Sequence, residues 1–241
     1  MIEKTGGIVI NYTRYSDHSG IVTLFTGRFG RKAYMARGIG RGKKGMPAVM
    51  FQPLMILDIE AYHNPAREVN NLKGCSLSFI PSTIPFSIQK STISMFLAEI
   101  LNASIREEQA DEELYRFIEK SVIALDECEK GTADFHLLFL VLLSRHLGFG
   151  PSSPASEFPA IFDLKNGIFA MVPPSSGLYM NTGEAKILSL MLETPMTDAA
   201  RLNLTSMERG KMLEQLLKYY SLHLPGFTNL KSLGVLRELF S

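Results

Sequence analysis

The chain has 241 residues, 46% of them hydrophobic, with 25 Lys and Arg against 24 Asp and Glu and a net charge of +1. That is enough apolar material for one large domain or two small ones with real cores, and the near-neutral total by itself points to no polyanionic partner. Two cysteines, Cys75 and Cys128, lie far apart and outside any CxxC pair. This excludes a disulfide framework and a zinc site of the usual spacing, and fits a reducing cytosol.

In chain order, residues 5–80 read as short strands. Ile8 and Ile10 open the first, and Ile21, Val22, Leu24 and Phe25 form a β-branched and aromatic second. Lys32–Arg37 is the third, Leu57, Ile59 and Ala61 alternate in the fourth, and Val69–Ile80 is the fifth. Turn signals separate them at Asp17–Gly20, Arg28–Gly30, the glycine-rich 38–45 and Asn64-Pro65. Five short strands in so little chain suggest a small closed or partly open barrel, and an SH3-like barrel would give a similar pattern.

Pro81 and Pro85 mark the change to helical periodicity. Ile93, Phe96, Leu97, Ile100 and Leu101 share one helix face, and Leu114, Phe117, Ile118, Val122 and Leu125 share a second, after the acidic run Glu107–Glu113. The third helix, Phe135 to Leu147, is apolar nearly all round, is expected at the centre of the helical part, and is stopped by Gly148. Residues 152–174 are irregular. Within them Ile161–Leu164 and Ile168–Val172 flank Lys165-Asn166-Gly167, a hairpin turn signal. Helices over Gly183–Leu192, from an N-cap at Ser206 through Leu224, and around Leu230, Leu233 and Leu236 complete the chain. The sequence therefore predicts an α+β protein, with residues 1–80 as a barrel and 81–241 as a helical domain carrying an irregular hairpin insertion near 152–181.

The five histidines form no metal-ligand pattern, no serine has a nucleophile-elbow context, and GIGRGKKG at 38–45 lacks the spacing and the following Ser or Thr of a phosphate loop. The acidic run is explained by a helix N-terminus and a solvated face. No catalytic set, metal or cofactor is expected. No secretory h-region opens the chain, and its longest strongly apolar piece, Leu137–Leu143, is too short for a membrane span.

Charge is unevenly distributed. Residues 1–80 hold eleven Lys and Arg against five Asp and Glu, leaving fourteen against nineteen for the remainder. No acidic residue occurs between Asp17 and Asp58, and Arg28, Arg31, Lys32, Arg37, Arg41, Lys43 and Lys44 fall inside that window. Clustered cations neutralise phosphates and release their counterions, the main source of sequence-independent affinity for nucleic acid. Phe25 fits the barrel core, whereas Tyr34, between Lys32 and Arg37, is the candidate for stacking on a base.

Several segments together resemble the RecO family of bacterial recombination and repair proteins. They are Tyr15-Ser16-Asp17-His18-Ser19, the strand Ile21–Thr26, Gly30-Arg31, the basic Arg37–Lys44, Gln52-Pro53-Leu54, the apolar helix ending Leu147-Gly148-Phe149-Gly150-Pro151, and Leu230-Lys231-Ser232-Leu233. The resemblance is ordered and covers most of the chain. It implies an N-terminal OB-fold and a C-terminal helical domain. It also implies a non-enzymatic, cytoplasmic, nucleoid-associated mediator with no membrane association. Such a mediator binds single- and double-stranded DNA, anneals complementary strands and, with RecR, helps RecA load on DNA coated with single-strand-binding protein. Many members carry a four-cysteine zinc module after the central helix; Ser152–Asn181 has no cysteine, so packing alone is expected there. A protein-interaction scaffold whose barrel docks an acidic partner is the alternative reading.

Overall fold

A computed structural model describes residues 2–40, 45–106, 109–154, 160–227 and 230–240. The chain divides into two compact units, Met1–Asp126 and Glu127–Ser241. The change of periodicity near residue 81 and this division are different things, because the first two long helices belong with the barrel.

The first unit is built on five strands: β1 (Ile2–Ser16), β2 (Ser19–Thr26), β3 (Gly30–Arg37), β4 (Ile56–Tyr62) and β5 (Val69–Leu77). They close in the order β1-β2-β3-β5-β4, with every pair antiparallel except β3 with β5. This is the OB-fold connectivity that the resemblance implied. β1 is long enough to serve two neighbours. Ile2–Ile8 pair with β4, and Gly7–Ser16 pair with β2. Period-two alternation fills the interior with Val9, Val22, Leu24, Tyr34, Ala36, Leu57, Ile59 and Ala61, and Phe51 from a short 3-10 turn, Ala48–Phe51, plugs one end.

Helices α1 (Ile88–Ser104) and α2 (Glu112–Glu127) follow, burying the apolar faces read from their spacing. Tyr115 of α2 lies against Gly6 and Gly27 of the barrel. A Cβ at Gly6 would come within 2.5 Å of the Tyr115 hydroxyl, so the ring's approach requires glycine there.

The entry to α1 is held by Asp126, itself buried at the end of α2. Its Oδ1 accepts the backbone N–H groups of Thr83 and Ile84, each at 2.8 Å, and its Oδ2 accepts Ser82 N–H at 2.8 Å and the Ser82 hydroxyl at 2.9 Å. Lys90, also buried, donates to the Asp126 backbone carbonyl at 2.6 Å.

In the second unit α3 (Phe135–His146) is buried on nearly every side, as its composition predicts, and packs against α4 (Thr182–Glu193) and α5 (Ser206–His223). The N-cap of α5 is Thr205, not Ser206. The Thr205 hydroxyl accepts Glu208 N–H while the Glu208 carboxylate accepts Thr205 N–H, a reciprocal pair that Ser206 is one residue too late to make.

Strands β6 (Ile161–Asp163), β7 (Ile168–Ala170) and β8 (Tyr179–Met180) form a small sheet in the order β7-β6-β8. Its tight turn is held by Asp163, whose carboxylate accepts Lys165 N–H, Asn166 N–H and the Asn166 amide. The last helix, α6 (Leu233–Phe240), begins three residues later than the leucine spacing suggests. A buried ion pair, Arg209 to Asp134 at 2.7 Å, ties α5 to the turn before α3.

Burial pushes the Asp126 carboxyl up, but the backbone N–H groups of Ile84, Ser82 and Thr83 outweigh it and hold its pKa down to about 2. A depressed carboxyl contributes stability that is complete above its unfolded value and lost as pH falls through the folded one. Urea unfolding is therefore expected to show wild-type stability falling between about pH 4 and pH 2, and Asp126→Asn should be less stable at neutral pH with a shallower acid slope. Parallel slopes would place the acid sensitivity elsewhere.

Candidate nucleic-acid interface

Strand parity sorts the sequence-predicted cations. Along β3, Lys32, Tyr34 and Ala36 are buried, while Arg31, Ala33, Met35 and Arg37 lie on the other face. Five of the eight predicted residues, Arg28, Arg31, Lys32, Tyr34 and Arg37, fall among the described residues, and their surroundings differ.

Tyr34 is not available to a base. Its ring is fully buried in the barrel core, opposite Val22, and burial pushes its pKa up to about 12. Its hydroxyl has no hydrogen-bond partner among the described residues. Lys32 is also inward-facing, 8% exposed. Its charge lies near His63, whose pKa is lowered by burial first and by Lys32 second.

Arg31 is outward but engaged. One guanidinium nitrogen donates to the Asn102 carbonyl at 2.8 Å and to the Ile105 carbonyl, and the other to Asn102 Oδ1 at 2.9 Å. These are end-of-helix acceptors of α1, so Arg31 caps a helix whose last carbonyls otherwise lack partners. Arg28 is exposed, but it donates to Glu3 Oε2 at 3.0 Å and to the Lys4 carbonyl at 3.2 Å, and lies over the Phe29 ring.

Arg37 is exposed at the end of β3 and has no ion-pair partner among the described residues. Arg41, Lys43 and Lys44 lie outside the described residues. On either side of them, Gly40 N–H donates to the Met46 carbonyl at 2.9 Å.

Sequence reading makes Asp17–Gly20 a turn and Tyr15–Ser19 a family motif, and assigns neither to the interface. The β1–β2 hairpin extends past the point where β4 pairing ends, and all of Asn11–Ser16 is exposed. Ser19 pairs with both Ser16 and Arg37, placing the hairpin tip beside the cation. Arg14 is held there by its own bonds, to the Ser16 carbonyl at 3.2 Å and to Asp17 Oδ1 at 2.7 Å.

His18 ties the tip to the start of the glycine-rich segment. Its carbonyl accepts Gly38 N–H at 2.7 Å and Ile39 N–H at 3.0 Å. Tyr12 lies over Gly20, where a Cβ would clash with its ring, and stacks on Phe51 with centroids 5.8 Å apart. Arg14, Tyr15 and Arg37 thus share one end of the barrel. The signal that could have found Arg14 and Tyr15 was their place in a polar, aromatic run just before a turn.

The opposite end of β1 is electrostatically closed. Glu60 bridges Lys4 at 2.8 Å and Lys73 at 3.0 Å, and their hydrogen bonds hold its pKa down to about 2. Exposed pairs of this kind add little stability, but they cancel charge that a phosphate would otherwise meet.

Two substitutions separate structural from interfacial roles. Arg31→Ala removes charge-assisted bonds to α1 and is expected to cost about 2 kcal/mol in urea denaturation, whereas Arg37→Ala should change stability by less than about 0.5 kcal/mol. Tyr34→Phe removes a buried hydroxyl without a partner and is expected to raise stability by about 1 kcal/mol. A loss in thermal melts would reveal a partner for that hydroxyl.

Comparison with known proteins agrees with this architecture. The family description "Recombination protein O N terminal" matches residues 1–80, and "Recombination protein O C terminal" matches residues 85–234. The chain is 35% identical to a DNA repair protein RecO from Phocaeicola vulgatus over 241 residues, covering 100% of both chains. It is 37% identical to that of Bacteroides fragilis over 243 residues, again covering 100% of both. With the RecO of Flavobacterium johnsoniae it shares 36% identity over 239 residues and 99% of each chain. A closed five-stranded OB barrel, a helical remainder and full-length similarity to these DNA repair proteins together place the chain in the recombination protein O (RecO) family.

Proposed function

We propose that this protein is a non-enzymatic recombination mediator whose barrel, within residues 1–80, holds DNA by its phosphates at the hairpin end. The observation that carries this reading is the placement of Arg37. It is exposed, without an ion-pair partner among the described residues, and beside the hairpin tip and the anchored ends of the glycine-rich segment. Arg41, Lys43 and Lys44 follow within seven residues of Arg37 in the sequence and are proposed to contact phosphates as well. Phosphate contacts of this kind are indifferent to sequence and serve single strands and duplexes alike.

Annealing needs two strands brought together with their charge screened, and no bond made or broken. Membership of the RecO family supports the partners: RecR, DNA coated with single-strand-binding protein, and RecA indirectly, in the bacterial cytoplasm at the nucleoid. Residues 81–241 are the part available for those protein contacts.

The test is fluorescence anisotropy with a labelled single strand at several salt concentrations. Wild type should lose affinity steeply with salt. A variant carrying Arg37→Ala, Arg41→Ala, Lys43→Ala and Lys44→Ala should bind weakly, its log–log salt slope shallower by about 0.7 for each phosphate the variant no longer neutralises. Equal binding by a folded variant would move the DNA away from this end, and no DNA binding by wild type would favour an acidic protein as the barrel's partner.

A further inference from the structure

Phosphate contacts alone do not distinguish an unpaired strand from a duplex, and the hairpin end carries one feature that phosphates do not explain. Tyr15 is 72% exposed, an unusual state for an aromatic side chain on a barrel. The backbone is shaped to put it there. Arg14 pairs with Gly20 and Ser16 pairs with Ser19, so Tyr15 is the extra residue of a β-bulge at the tip of the hairpin. Bulges of this kind re-aim one side chain out of the strand's alternation.

The platform beneath is fixed on several sides. The Ser16 and Ser19 hydroxyls meet at 2.5 Å, Arg14 is bonded to the Ser16 carbonyl and to Asp17, and the His18 carbonyl holds Gly38 and Ile39. Arg37 is two strands from Ser16, about 10 Å away at ordinary strand spacing. An exposed ring on a pre-formed turn, with Arg37 two strands away, is what a stacked base with a neighbouring phosphate requires. A tyrosine also orders at low entropic cost, having two side-chain torsions.

Resting on the DNA-binding reading above, we propose that Tyr15 stacks on one base of an unpaired strand while Arg37 holds a neighbouring phosphate. A duplex keeps its bases inside and meets the same end through the cations alone. Tyr15 is then the specificity-determining residue for single strands at this site. The barrel's other well-exposed tyrosine, Tyr62 at 51%, pairs with Ile2 and Asn71, beside the start of β1 where Lys4 and Arg28 are taken up by Glu60 and Glu3. It serves as the internal control.

The experiment uses the full chain with three labelled probes of equal length: an oligo-dT single strand, a single strand of abasic sites, and a duplex. Tyr15→Ala should weaken oligo-dT binding about tenfold, within the range for losing one base–aromatic stack, and leave the abasic strand and the duplex unchanged. Tyr62→Ala should leave all three unchanged. Tyr15→Trp should restore oligo-dT binding. Because the chain has no tryptophan of its own, its fluorescence should be quenched by oligo-dT and not by the abasic strand.

If wild type binds DNA but Tyr15→Ala binds oligo-dT as tightly as wild type, or loses all three probes equally, the stacking role is overturned and the phosphate reading stands. If wild type binds none of the probes, both readings fall together.

Discussion

Closure of the barrel is the constraint on which the rest depends. Once β3 pairs with β2 on one side and β5 on the other, each residue on it must face in or out, and parity alone decides which. Lys32, Tyr34 and Ala36 are committed to the interior, and Arg31 and Arg37 to the outside. A shift of one residue would turn Arg31, Ala33, Met35 and Arg37 inward and expose Tyr34, which the fully buried ring does not permit.

Outward cations then divide by what lies beside them. Arg31 sits where α1 ends and offers three acceptors, so its charge completes a helix terminus. Arg28 sits beside Glu3 and is paired. Arg37 has neither neighbour, and its surroundings are a hydrogen-bonded hairpin tip and the base of a glycine-rich segment. The same residue type thus serves three purposes on one unit, set by register and not by local sequence.

Buried carboxylates in both units follow one rule: each is met by a full set of donors. Asp126 takes the N–H groups at the entry to α1, and Asp134 takes Arg209 and Leu204 N–H in the second unit. Removing one member of such a set leaves the others buried and unpaired, which costs more than the set contributes. These clusters hold the segments that lead into α1, α3 and α5.

The sequence by itself determined the order and kind of the elements. The five strands, the helices over α1 to α5 and the hairpin at Lys165–Gly167 all follow from apolar period and turn chemistry, because those signals are local. It also located the cationic window and, through the ordered motifs, the family. Tertiary structure alone decided which face each window residue would take, since that depends on closure between strands far apart in sequence. It buried Tyr34, assigned Arg31 to a helix 71 residues away, and brought Arg14 and Tyr15 beside Arg37 through a hairpin bulge that no periodicity announces.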